Sequence, residues 1–309
     1  MLISYSRLDD LDIVFGENDY LKFGLAPAAG GKIVSIFNKT LQREFLWTQE
    51  GLPLRKLSPG TEYDPHFYGG MDELLPNDIP ENIDGIDYPD HGELWTTSLE
   101  QTVSEECIAV FGKLSLSRLY YKKNIRLDKS SPVIYLDYLI RNESDSIKKF
   151  LWKLHPAVRI ETGDELVSSA QFAKVVDPAY SRFKNQEPFQ WPWIEGTNAS
   201  IVPDKGSEID FFFLWEAKMP EMNFVSGKKK YQFNIQYDQN IFPYQWYFAS
   251  YGGFMNLYTA VLEPCSCMPL SVNEAAQLGQ CSILKPGEEI VTTVRIFAGE
   301  KTLQQYDRK

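Results

Sequence analysis

The chain has 309 residues, 43% of them hydrophobic and 24% charged, a composition that supports a large buried core and excludes a disordered chain. Its formal net charge of −11 sets the overall field against phosphate backbones and anionic bilayers, so neither nucleic acid nor a membrane is expected as a partner. No run reaches the roughly 18–20 apolar residues of a membrane span. Met1 to Arg7 lacks a charged segment followed by an apolar one, so a cytoplasmic protein is expected. Cys107, Cys265, Cys267 and Cys281 are too sparse for a disulfide scaffold, and Cys265-Ser266-Cys267 lacks the spacing of a zinc knuckle or redox pair. They read as reduced thiols, with no metal or other cofactor.

In chain order, Leu21 to Leu25, Lys32 to Phe37, Lys113 to Leu116, Val133 to Ile140, Tyr231 to Tyr237 and Val294 to Ile296 are β-branched, aromatic or alternating, as half-buried strands are. Turn signals separate them: Gly16-Glu17-Asn18-Asp19, Ala29-Gly30-Gly31, Asn142-Glu143-Ser144-Asp145, Thr162-Gly163-Asp164, Ser226-Gly227 and Lys285-Pro286-Gly287-Glu288. The basic run Lys228-Lys229-Lys230 follows one of these and reads as a solvated hairpin turn. No window of about eleven residues keeps an apolar period near 3.6, so the pattern predicts an all-β sandwich or barrel. Without a composition break or internal repeat, residues 1–309 read as a single domain. Two stretches break the rhythm, Pro53 to Pro89 and Asp177 to Pro203, and loops of that length are usually functional or mobile.

Three histidines, His66, His91 and His155, are the side chains best suited to proton exchange near neutral pH. His91 stands where a Pro-rich loop enters Gly92-Glu93-Leu94-Trp95, and His155 follows the apolar run Phe150-Leu151-Trp152. Glu263 closes the apolar run Leu257 to Leu262, where a carboxylate is costly unless it is paired or put to use. Taken singly, each has an ordinary structural explanation.

Taken in order, His91-Gly92, His155-Pro156 and Glu263-Pro264 resemble the galactose-mutarotase superfamily, which includes aldose 1-epimerases and hexose-phosphate epimerases. Gly30 to Asn38 with Arg43 to Trp47 is similar to that family's opening strands. Tyr138 to Asp145 resembles its Asn-x-Ser-Asp strand, and Lys285 to Ala298 its closing Pro-Gly-Glu turn and terminal strand. The resemblance implies a large antiparallel β-sandwich, a small-molecule sugar as ligand, and a monomer or homodimer. It also implies interconversion of sugar anomers, with Glu263 as base, His155 as acid at the ring oxygen and His91 positioning the sugar. Asp210, before Phe211-Phe212-Phe213, matches an acid that holds a distal hydroxyl. Trp95, Trp246 and the Phe183 to Trp193 loop are expected to supply the aromatic wall that a sugar face requires.

The family's early-loop arginine is absent from His66 to Pro76, and His66, Asp72, Glu73 and Asn77 are expected to contact the sugar in its place. An acidic loop disfavours a phosphorylated sugar. Three other readings remain open: a sugar-binding or regulatory module without turnover, a cupin-like metal enzyme built on two histidines and a carboxylate, and a glycoside hydrolase or lyase using Glu93 with Glu263.

Overall fold

Alternation of apolar and polar residues gives most of the chain one buried face, and antiparallel pairing satisfies the backbone. In the computed structural model, which describes residues 1–228 and 230–301, two large sheets result. Lys229 of the basic run and residues 302–309 of the single-domain reading lie outside the described residues. The first sheet has twelve strands, and its centre runs Met71–Leu74, Lys153–Val158, Tyr258–Cys265, Tyr244–Tyr251, Glu208–Trp215. The second has eight, centred on Glu289–Glu300 between Tyr231–Gln236 and Val133–Asn142. Every ladder between these strands is antiparallel. The all-β antiparallel sandwich expected from the sequence is the fold observed.

The main core lies between the sheets and joins Phe212, Leu214, Tyr247 and Leu262 of the first to Tyr138, Phe233, Val294 and Ile296 of the second. The one α-helix among the described residues, Val272–Gln277, is capped by the Ser271 hydroxyl, which accepts from the Glu274 N–H. No helix of the described residues is long and apolar enough to cross a membrane.

Three expectations need correction. Lys113 ends the Ile108–Lys113 strand, and the next residues form a turn rather than continuing it. The cause is Glu93, whose carboxylate accepts the backbone N–H groups of Leu116 (2.8 Å) and Ser117 (2.8 Å) and so draws the chain round. Pro53 to Pro89 is less irregular than its composition implies: it contains a central strand, Met71–Leu74, and a small hairpin, Glu81–Ile83 with Ile86–Tyr88. The Phe183 to Trp193 loop supplies no aromatic wall, because Phe183 and Phe189 pack into the main core while Trp193 is exposed.

Glu73 is a core residue. Lys123 brackets its carboxylate at 2.8 and 2.7 Å, Tyr138 donates to it at 2.7 Å, and both charged side chains have no solvent exposure. Removing one member of such a pair leaves an uncompensated buried charge. Lys123→Met is therefore expected to destabilise the protein by about 3–5 kcal/mol, and Lys123→Met with Glu73→Leu to recover most of that loss. Urea unfolding of the two variants beside the parent measures both effects.

Candidate active site

Side chains on one strand alternate between faces, so the register across the first sheet decides which residues meet. Asp72 lies opposite His155. The ladder that pairs Lys153 with Cys265 and Ala157 with Val261 sets His155 opposite Glu263. Glu263 lies opposite Trp246, and Trp246 opposite Phe213. The neighbouring row runs Ala157, Val261, Phe248, Phe211. Both rows are on the face turned away from the main core, and two loops close over them.

Between sheet and loops is a cavity of about 320 Å³ lined by Lys153, His155 and Glu263 from the strands and by Tyr63, Asp78 and His91 from the loops. Phe67, Phe211, Phe248 and Phe254 supply its apolar surface, which suits the apolar face of a sugar ring. The two imidazoles lie with ring centroids 6.2 Å apart, edge to face. His91, His155 and Glu263, far apart in sequence, thus converge in one concave site.

The loop geometry of His91 is unusual. It has φ of 58°, a left-handed backbone in which His is among the enriched side chains. A Cβ on the next residue, Gly92, would meet the Leu75 carbonyl oxygen at 2.3 Å, so only glycine permits the approach that brings His91 over the sheet. The ring then stacks on Tyr63 at 4.0 Å and hydrogen-bonds through Nδ1 to Asp90 Oδ1 at 2.8 Å. Against burial, which raises it, the His91 bond and charge and the Tyr63 backbone N–H hold the Asp90 carboxyl below its usual range.

His155 is tied to the same cluster through Tyr63. The Tyr63 hydroxyl lies 2.9 Å from Asp72 Oδ2 and 3.2 Å from His155 Nδ1, and it has one proton to give. When that proton goes to Asp72, Nδ1 is the donor towards Tyr63. When it goes to His155, Nε2 carries the ring proton. Burial first, then the charges of Lys153, His91 and Lys32, push the imidazole pKa well down, so His155 is neutral at ordinary pH.

Glu263 is 1% exposed, and burial raises its pKa while the Lys153 ammonium opposes the rise. Lys153 Nζ lies 2.6 Å from Glu263 Oε2 and 2.6 Å from Asp78 Oδ1 and sits over the Trp246 ring, 4.4 Å from its centroid. Both oxygens are closed to solvent and have that ammonium as their partner.

The other candidates are placed differently. Asp72 is paired with Lys32 at 2.8 Å and reaches the cavity only through Tyr63. Glu73 faces the main core, as described above. Asn77 spends its amide on the Ile79 and Pro89 carbonyls, at 2.8 and 2.7 Å, and so shapes the loop. His66 lines a neighbouring cavity, and its Nδ1 donates to the Glu62 carbonyl. Trp95 stands behind Tyr63, edge-on at 4.9 Å, and Trp246 lies beneath Lys153 with its indole N–H given to the Cys267 carbonyl. Neither lines this cavity, though Trp95 lines the neighbouring one with His66.

Asp210 lies on the opposite face from Phe211, which lines the cavity, because the two are adjacent on one strand. It is held at 2.9 Å by Arg182 Nε and at 3.2 Å by Tyr251, and burial pushes its pKa up to about 6 in spite of the arginine. Its role is to anchor the 177–203 segment to the sheet. Glu93, engaged with the Leu116 and Ser117 amides, does not pair with Glu263 across the cavity. Among the described residues no three His, Cys, Asp or Glu side chains are placed to hold a metal ion.

The sequence reading missed Lys153, Tyr63, Asp78 and Asp90. Lys153 carries a usable signal, since it lies two residues before His155 on the same strand and so shares its face. The three loop residues carry none, because nothing local dictates how a long loop folds back.

No protein-family model matches the sequence, and no curated protein matches it. Solved structures do. A galactose mutarotase-like protein from Clostridium acetobutylicum aligns over 97% of this chain and 99% of its own, with a TM-score of 0.71 and 13% identity. A galactose mutarotase related enzyme from Lactobacillus acidophilus aligns over 94% and 98%, with a TM-score of 0.67 and 14% identity. A galactose mutarotase-like protein from Lactobacillus casei aligns over 93% and 99%, with a TM-score of 0.68 and 14% identity. Such identities speak for the fold, and at that level they bear out the resemblance read from the sequence: this chain has the galactose mutarotase-like β-sandwich.

Proposed function

We propose that the cavity above the first sheet binds an aldose and interconverts its anomers by acid and base catalysis. The observation that carries this reading is Glu263, a buried carboxylate that lines the same cavity as two imidazoles. The likeness to a galactose mutarotase related enzyme supports it at the level of fold.

In this reading Glu263 takes the proton from the anomeric hydroxyl as the bond between the anomeric carbon and the ring oxygen breaks. His155 donates a hydrogen bond from Nε2 to that oxygen, in the tautomer where Nδ1 accepts from Tyr63, and the oxygen takes its proton from solvent water. Rotation of the open-chain aldehyde and the reverse proton movements then close the ring on the other face. No proton is gained or lost overall. His91, fixed by Asp90 and Tyr63, holds a sugar hydroxyl.

A second reading, sugar binding without turnover, draws on one feature, the Lys153 ammonium beside Glu263, which lowers the basicity of that carboxylate. Exchange spectroscopy by NMR together with sugar-binding titration separates the two, since binding without accelerated exchange favours the module.

Glu263→Gln and His155→Ala are each expected to lower catalysed anomer exchange by about 10²–10⁴-fold while leaving far-UV circular dichroism unchanged, and near-parent exchange in either would falsify the mechanism. The cavity lining sets Asp64, Asp78, Asp90 and Glu263 against Lys153. Free aldoses should therefore exchange faster than their phosphates or uronates in a saturation-transfer panel. Because Glu263 must be ionised to accept a proton and burial raises its pKa, activity should decline on acidification through that raised pKa. His155, neutral because its pKa is depressed, should add no limb near neutrality.

A further inference from the structure

Lys153 is the feature of the cavity that an acid and base pair does not by itself require. It shares the face of His155, its side chain is 3% exposed, and its ammonium stands between two carboxylates, Asp78 at 2.6 Å and Glu263 at 2.6 Å. Both of those side chains are also buried, at 8% and 1% exposure.

The three charges have a simple logic. A carboxylate alone at this depth would keep its proton and could not act as a base. A lysine paired with that carboxylate alone would have the opposite defect, because every proton accepted by Glu263 would leave a buried ammonium without a counter-charge. With Asp78 present, the cluster carries net −1 when Glu263 is ionised and is neutral when Glu263 is protonated. The Lys153 and Asp78 pair then survives the proton transfer.

We propose that Lys153 and Asp78 are positioning residues that set the basicity of Glu263 in opposite senses, Lys153 keeping it ionised and Asp78 keeping it able to accept a proton. The inference rests on the reading of Glu263 as the base. The directions agree with it, since after burial the Lys153 charge lowers the Glu263 pKa and the Asp78 charge raises it. The other groups turned towards this cluster are His91, with Nε2 3.9 Å from Asp78 Oδ1, Asp90 behind His91, Asp64 on the cavity lining, His155 on the Lys153 strand and Cys265 two residues after Glu263. None of them is replaced by the substitutions below, and His91 keeps Asp90 as its partner in each variant.

The test is the pH profile of kcat/KM for anomer exchange of free glucose and galactose, for the parent, Lys153→Met and Asp78→Asn. Lys153→Met should move the acid limb to higher pH and Asp78→Asn to lower pH, each by about one unit or more, which is about tenfold in rate on the limb. Shifts of the same sign, or reduced plateaus with unmoved limbs, overturn the proposal. If Lys153→Met does not fold, Asp78→Asn alone decides, because an alkaline or absent shift contradicts the role of Asp78. Titration of the Glu263 side-chain carboxyl by ¹³C NMR in labelled protein reads the same opposite shifts without turnover. A parent that exchanges no aldose but shows those shifts ends the proposed function and leaves the triad standing. Exchange with unmoved titrations does the reverse.

Discussion

The site depends on the register of five antiparallel strands. Side chains alternate with period two, so pairing Met71–Leu74, Lys153–Val158, Tyr258–Cys265, Tyr244–Tyr251 and Glu208–Trp215 as they are paired puts Asp72, His155, Glu263, Trp246 and Phe213 in one row on one face. A slip of one residue in the Tyr258–Cys265 strand would turn Leu262 to the cavity and Glu263 into the main core. The core enforces the register, because Phe212, Leu214, Tyr247 and Leu262 on the other face have nowhere else to be buried.

That alternation also explains how one short strand carries two buried acids. Asp72 faces the site side and meets Lys32, while Glu73 faces the inter-sheet core and meets Lys123. Each carboxylate has its own ammonium because the two cannot share a face. Asp210 follows the same rule with Arg182. Glu263 differs in sharing Lys153 with Asp78, so its ammonium is not its own. A shared counter-charge leaves a carboxylate more weakly held than one with a cation of its own.

The loops divide labour in a way that composition conceals. The 53–89 segment and the turn that follows it bring Tyr63, Asp78 and His91 over the sheet and shape the cavity. The 177–203 segment is shorter and richer in large aromatics, yet it packs Phe183 and Phe189 into the core and is anchored by Arg182 on Asp210. The aromatic surface of the cavity comes instead from strand residues, Phe211 and Phe248, and from Phe67 and Phe254.

The sequence by itself determined the fold class, because hydrophobic alternation and turn chemistry are local and act through the nearest few residues. It also marked His91, His155 and Glu263, since scarce imidazoles and a carboxylate ending an apolar strand are conspicuous without coordinates. Only the tertiary structure decided which acids face the cavity. Asp210 misled because its neighbour Phe211 takes the cavity face, and Glu93 because its amide partners lie 23 and 24 residues further along the chain. Tyr63, Asp78 and Asp90 went unread because their positions follow from long-range packing of a loop. Long-range contacts between faces and loops are set by how whole sheets pair and pack, and no window of sequence contains that information.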